Sequence, residues 1–167
     1  MNSYSPELRY NKIEDRDVPY LAAVLSHNTS IRHLGLEGNR ITDTGVSILA
    51  SRIPAMKGLE SLILRNNPLG QNAALELAEA LKPNLSIQRI DFDSSVANHD
   101  KVAYYADLNW GGRRFLIGKK GGKFFNRALW PLVFERVNQL IQTKNGRQRY
   151  VDTLYVLLKD GTALFPM

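Results

Sequence analysis

The chain has 167 residues, 44% of them hydrophobic and 23% charged, which is the size and composition of one ordinary globular domain. It contains no cysteine, which excludes disulfides and thiolate metal ligands, and its apolar runs are too short to span a bilayer. The net charge of +6 is uneven: residues 1–106 carry 11 Lys and Arg against 12 Asp and Glu, whereas residues 107–167 carry 11 against 4. A neutral first part and a basic second part predict a boundary near Asp107.

In chain order, the opening segment MNSYSPELRY lacks the basic and apolar regions of a secretory signal. With no cysteine, this predicts an intracellular location, cytoplasmic or nuclear. From Asn11 a pattern begins that returns twice. The strings NKIEDRDVPYLAAVL (from Asn11), NRITDTGVSILASRI (from Asn39) and NPLGQNAALELAEAL (from Asn67) are copies of one unit at constant spacing. Leu8, Leu36, Leu64 and Phe92 keep the same spacing, as do Leu34, Leu62 and Ile90. A fixed period in this range marks a solenoid, in which each unit buries its apolar face against its neighbours.

Each unit reads as strand, turn, helix and return. Leu34 and Leu36 alternate with His33, Gly35 and Glu37, which is strand periodicity. Asn39 stands where the chain must turn, and its amide can satisfy buried backbone groups there. Ile41 points inward again, and Thr42 or Asp43 is placed to cap the helix that follows. Val46, Leu49, Ala50 and Ile53 recur at helical spacing, with Pro54 as a stop. The same face is Val18, Leu21, Ala22 and Leu25 in the first copy and Ala74, Leu77, Ala78 and Leu81 in the third. Ala22, Ala50 and Ala78 share a column where the helix and strand layers approach closely.

The pattern L-x-x-L-x-L-x-x-N at Ile31, Leu34, Leu36 and Asn39, with the helices GVSILA and ALELAEAL, resembles the leucine-rich repeat of the long, ribonuclease-inhibitor type. The resemblance covers residues 5–106. It implies an α/β fold, a right-handed solenoid in the form of a short horseshoe with strands on the concave side and helices outside. It also implies a protein partner bound on the strand face. The array frays at both ends, because Pro6 and Ser3 replace apolar residues at its start, and Ser95 and Ala97 replace the turn Asn and Ile41 at its close. About three sound repeats remain, and the chain reads either as a short array or as a piece of a longer one.

The outward strand positions form the candidate binding face: His33, Glu37, Ser61, Ile63, Arg65, Arg89, Asp91 and Asp93. One column runs Arg9, Glu37, Arg65, Asp93, and its alternating sign predicts attraction between strands about 4.8 Å apart. Ile63 is the large apolar residue expected to be exposed there, with Tyr10 the nearest aromatic at the edge.

After Asp107 the period is lost. Arg113, Arg114, Lys119, Lys120 and Lys123 are interleaved with Trp110, Phe115, Phe124 and Phe125, a mixture that suits phosphate contact and base stacking. The same stretch also reads as a capping hairpin around a Lys/Gly turn, and that reading is preferred. A helix is predicted after an Asn126 cap, with Leu129, Val133, Arg136 or Val137, and Leu140 along one stripe. A last helix is predicted with Val151, Leu154, Tyr155 and Leu158 inward. An open solenoid end exposes apolar core, so residues 107–167 are expected to cap the last repeat. The tail also resembles one that follows short repeat arrays in predicted proteins of diatoms and related algae.

Catalysis is not expected. His27 and His99 fall in connecting segments by this reading, His33 alone faces the strand side, and no pair has metal-ligand spacing. No metal and no cofactor is expected. Asp91 and Asp93 have Arg65 and Arg89 as neighbours, which suits structural pairing better than acid–base chemistry. Asn28 and Asn84 match the glycosylation acceptor pattern but share one column, so a turn explains them. The sequence thus predicts a non-catalytic module that binds an as yet unknown protein. Nucleic-acid or phosphate binding by the basic tail is the alternative, a GTPase-activating regulator by family analogy is a third, and no membrane partner is expected.

Overall fold

A computed structural model of the chain describes residues 5–112 and 130–139, together with 153 and 155. It divides into two compact units, Met1–Ala106 and Asp107–Met167. The elements are α1 (Val18–His27), β1 (His33–Gly35), α2 (Asp43–Arg52) with a 3-10 turn at Ile53–Ala55, β2 (Ser61–Ile63), α3 (Gln71–Leu81), β3 (Arg89–Asp91), α4 (His99–Trp110) and α5 (Trp130–Gln139).

In the first unit the sequence period becomes the strand register. The three strands are parallel, in the order β1-β2-β3. His33 lies beside Ser61 and Ser61 beside Arg89, Leu34 beside Leu62 and Leu62 beside Ile90, each pair one repeat apart. The first copy contributes two isolated parallel bridges, Glu7 to Gly35 at the strand and Glu14 to Arg40 after the turn. The Leu8 and Tyr10 N–H groups continue the strand ladder to the Gly35 and Glu37 carbonyls at 2.9 and 2.8 Å, and Pro6 ends it on the other side: its carbonyl accepts from the Gly35 N–H at 3.3 Å, but a proline cannot donate the next ladder bond.

The core lies between the strand layer and the helix layer. Leu34, Leu36, Ile41, Leu62, Leu64, Ile90 and Phe92 supply one side. Val46, Leu49, Ile53, Leu77 and Leu81 supply the other, and Ala22, Ala50 and Ala78 are buried, as a close approach of the layers requires. Thr42 is the cap of α2, accepting from the Thr44 N–H at 3.2 Å. Asp15 holds this entrance from the preceding repeat through the Thr42 N–H (2.8 Å), and Asp43 does the same for the Gly70 N–H (2.6 Å). Pro54 does not end the helical path at once. α2 stops at Arg52, and Pro54 sits in the first turn of the 3-10 segment, where no backbone N–H is needed.

Turn asparagines tie the repeats together. The Asn39 amide donates to the Leu8 and Leu36 carbonyls at 2.9 and 2.8 Å, while its oxygen accepts from the Asn11 and Ile13 N–H groups at 3.0 Å. Asn67 donates to Leu36 (2.9 Å) and Leu64 (3.0 Å) and accepts from the Ile41 N–H (3.0 Å). Asn28 and Asn84 are turn residues: each side-chain oxygen accepts the N–H groups two and three residues ahead.

Three expectations need correction. His27 and His99 are not in connecting segments: His27 is the last residue of α1 and His99 the first of α4. The His27 ring lies 3.0 Å from the Ala23 carbonyl, and the His99 ring packs against Phe92 at 4.8 Å. Tyr155 does not point inward: it is 65% exposed, whereas Thr153 is buried. Two residues along a helix turn the direction by about 200°, so burying Thr153 swings Tyr155 outward. The predicted helix before it is present as α5, with Val133 fully buried. The hairpin around Arg113–Lys123, the Asn126 cap and Val151, Leu154 and Leu158 lie outside the described residues.

Candidate functional site: the strand face

Alternation along each strand sends Leu34, Leu62 and Ile90 to the core and their neighbours to the opposite face. Register then sets His33, Ser61 and Arg89 in one row and Gly35, Ile63 and Asp91 in the next. Glu37, Arg65 and Asp93 follow at the strand ends. His33, Arg65 and Arg89 are exposed, while Glu37, Ser61, Asp91 and Asp93 are half-buried. Ile63 is also half-buried and not the exposed apolar residue expected, because it stands in the middle strand with a neighbour on each side.

The charges pair, but not wholly along the expected column. Arg9 reaches Glu37 at 3.6 Å and its own neighbour Glu7 at 2.6 Å. Arg65 turns instead to Asp91, with Nε 2.8 Å from Oδ1, and Arg89 takes the other oxygen of Asp91 at 2.8 Å. Asp91 thus stands between two guanidinium groups. Its partial burial alone would raise its pKa, but the hydrogen bonds from Arg65 and then Arg89 outweigh that and hold it below the usual carboxylate range. The Arg65 pKa is raised in return, first by its hydrogen bond to Asp91.

With Arg65 drawn away, Asn66 links the acids at the strand ends. Its side chain donates to Glu37 at 3.2 Å and its backbone N–H donates to Asp93 at 3.0 Å. The Tyr10 hydroxyl also donates to Glu37, at 3.4 Å. Sequence reading missed Asn66. No column of residue type marks it, because what the equivalent positions Tyr10, Gly38 and Asn66 of successive repeats share is backbone conformation, with φ of 56°, 66° and 55°. The first three of these strand segments thus each lead into one left-handed residue, a conformation that Gly and Asn tolerate best, whereas the equivalent Ser94 after β3 is not left-handed. At Gly38 a side chain would also strike the Tyr10 ring, which lies over it.

The site is a fixed, mixed-charge surface with a central aliphatic side chain. Among the described residues no group of three or more His, Cys, Asp or Glu could hold a metal ion. Glu37, Asp91 and Asp93 are each engaged by a donor, an arrangement that orients side chains without freeing a base. The basic residues Arg113, Arg114, Lys119, Lys120 and Lys123 lie outside the described residues.

Comparison with known proteins points the same way as the register. The leucine-rich repeat family matches residues 27–50, which run from the end of α1 through β1 into α2. Over 86 residues the chain is 34% identical to the ribonuclease inhibitor of Mus musculus, an alignment covering 50% of this chain and 19% of that protein. The chain therefore spans about a fifth of the length of this relative. Among the described residues no helix is long and apolar enough to cross a membrane.

Proposed function

We propose that the chain, which is similar to leucine-rich-repeat proteins of the ribonuclease-inhibitor type, is a non-catalytic interaction module binding a protein partner on its strand face. The contact residues in this reading are His33, Glu37, Ser61, Ile63, Arg65, Arg89, Asp91 and Asp93. The supporting observation is the network centred on Asp91. Arg65 and Arg89 are held at 2.8 Å before any partner arrives, so they lose little side-chain freedom on binding. Ile63, between Ser61 and Arg65, offers apolar contact in the middle of a polar surface. We take the array as right-handed, residues 107–167 as its cap and the protein as intracellular.

The test is affinity capture from the source cell with the wild type beside the Glu37→Ala/Arg65→Ala double variant. A protein retained by the wild type and lost by the variant is expected. Equal capture by both, with both folded, would sink this face as the binding site.

A second reading has its own observation: 11 basic against 4 acidic residues in 107–167. In it, the tail binds phosphate or nucleic acid through Arg113, Arg114, Lys119, Lys120 and Lys123. A salt titration separates the two. Phosphate contacts weaken steeply as salt rises, by counterion release. Binding by the mixed-charge strand face, which pairs its own charges, should weaken far less.

A further inference from the structure

The strand face uses up its acceptors and leaves donors over. Asp91 has both oxygens taken, Oδ1 by Arg65 and Oδ2 by Arg89, and its side chain is 13% exposed. Glu37 accepts from Tyr10 and Asn66 through one oxygen and faces Arg9 with the other. Asp93 accepts from the Asn66 N–H. The two arginines are far less occupied. Among the described residues Arg65 donates a hydrogen bond through Nε alone and Arg89 through one terminal nitrogen, and their side chains are 54% and 64% exposed. A guanidinium holds its donors in a rigid planar fork and accepts nothing, so the rest of each fork calls for an acceptor from outside.

The charges agree with the hydrogen bonds. Arg65 and Arg89 against Asp91 leave one positive charge at β2 and β3. Beside it stand the uncharged Ser61 and Ile63. Glu37 and Asp93 are tied together by Asn66 at the strand ends, near enough to act on Arg65. One carboxylate balances this group. A dianionic phosphate would bring surplus negative charge against Asp91, Glu37 and Asp93.

We infer that the partner presents an acidic segment to the strand face, with an aspartate or glutamate side chain received by Arg65 and Arg89 and an apolar side chain beside it on Ile63. This rests on the strand face being the binding surface and adds the chemistry of what binds there. Two guanidinium groups that meet on one carboxylate stand close enough to close on a second, and Asp91 already holds them in place. Ile63 and Arg65 are two residues apart on one strand, so alternate side chains of an extended segment can meet both.

Selection from a phage-displayed library of random short peptides tests the inference. Each peptide is joined to the coat protein at its C-terminal end, so any carboxylate selected belongs to a side chain. The library is first depleted on full-length Ser61→Tyr, whose ring plugs the middle of the face, and then selected on the full-length wild type. Depletion removes peptides held by the basic residues 107–167. The retained sequences should carry Asp or Glu next to an apolar residue. Arg65→Gln/Arg89→Gln should weaken them about tenfold or more, since hydrogen bonds between charged groups are lost. Arg89→Gln alone, at an exposed side chain, shows part of that loss should the double variant fail to fold. Retained sequences that are basic or uncharged, or acidic ones indifferent to the arginine variants, would overturn the inference and leave the strand face standing. A library with nothing retained after depletion would overturn both.

Discussion

Asn39 and Asn11 occupy the same position of the repeat and carry different loads. Asn39 is buried and bonds backbone groups of two repeats, from Leu8 and Asn11 on one side to Leu36 on the other. Asn11 is exposed, and its amide reaches only the Arg9 carbonyl two residues back, at 2.9 Å. The difference is one of neighbours. Each turn asparagine satisfies the backbone of the repeat before it, and among the described residues Asn11 has none before it. In a solenoid the energetic weight of a residue is set by the unit stacked on it as much as by the residue itself.

Substitution at the asparagines should break or sharpen this contrast. Asn67→Ala leaves the Ile41 N–H and the Leu64 carbonyl without their partner in the core and removes one of the two amide bonds to the Leu36 carbonyl, and should cost about 3 kcal/mol in urea unfolding. Asn11→Ala should cost less than about 0.5 kcal/mol, as at ordinary surface sites. Equal losses at the two sites would end the comparison. A smaller effect is expected at the strand ends. Gly38→Ala must adopt a left-handed conformation and displace the Tyr10 ring, and should lower stability by about 1–2 kcal/mol.

The smallest effect concerns pH. The folded-state pKa of Asp91 lies below its ordinary value of 3.8, so the folded protein binds the proton less readily than the unfolded chain. The stabilisation by Asp91 is therefore present above about pH 4 and is lost as pH falls through the folded-state value. Asp91→Asn should lower the Tm slightly at pH 7, and the gap should close in acid below the carboxylate range. A gap that widens in acid would mean that Arg65 and Arg89 do not depress this carboxyl.

The repeat architecture was legible because period and register are one quantity: a step of one repeat in sequence is a step of one strand in space. The inward leucines and the turn asparagines followed from it. The pairing of Arg65 was not legible. An arginine reaches past its own column, and Glu37, Asp91 and Asp93 all stand near it. Only coordinates show that Asp91 is chosen and that Asn66 takes over the end acids. Asn66 was hidden because columns of residue type do not display φ, and Tyr10, Gly38 and Asn66 share a conformation without sharing chemistry. The end of the chain was misread at Tyr155 because its helical stripe was phased on apolar residues, while the buried position is Thr153.

The central claim is that the strand face binds a protein, and the Kd of a captured partner for matched variants tests it most directly. Glu37→Ala/Arg65→Ala should raise the Kd at least about tenfold, or about 1.4 kcal/mol. Leu75→Ala, in the groove between α2 and α3, should leave it unchanged. An unaltered Kd for the strand-face variant, with its fold intact, would contradict the claim.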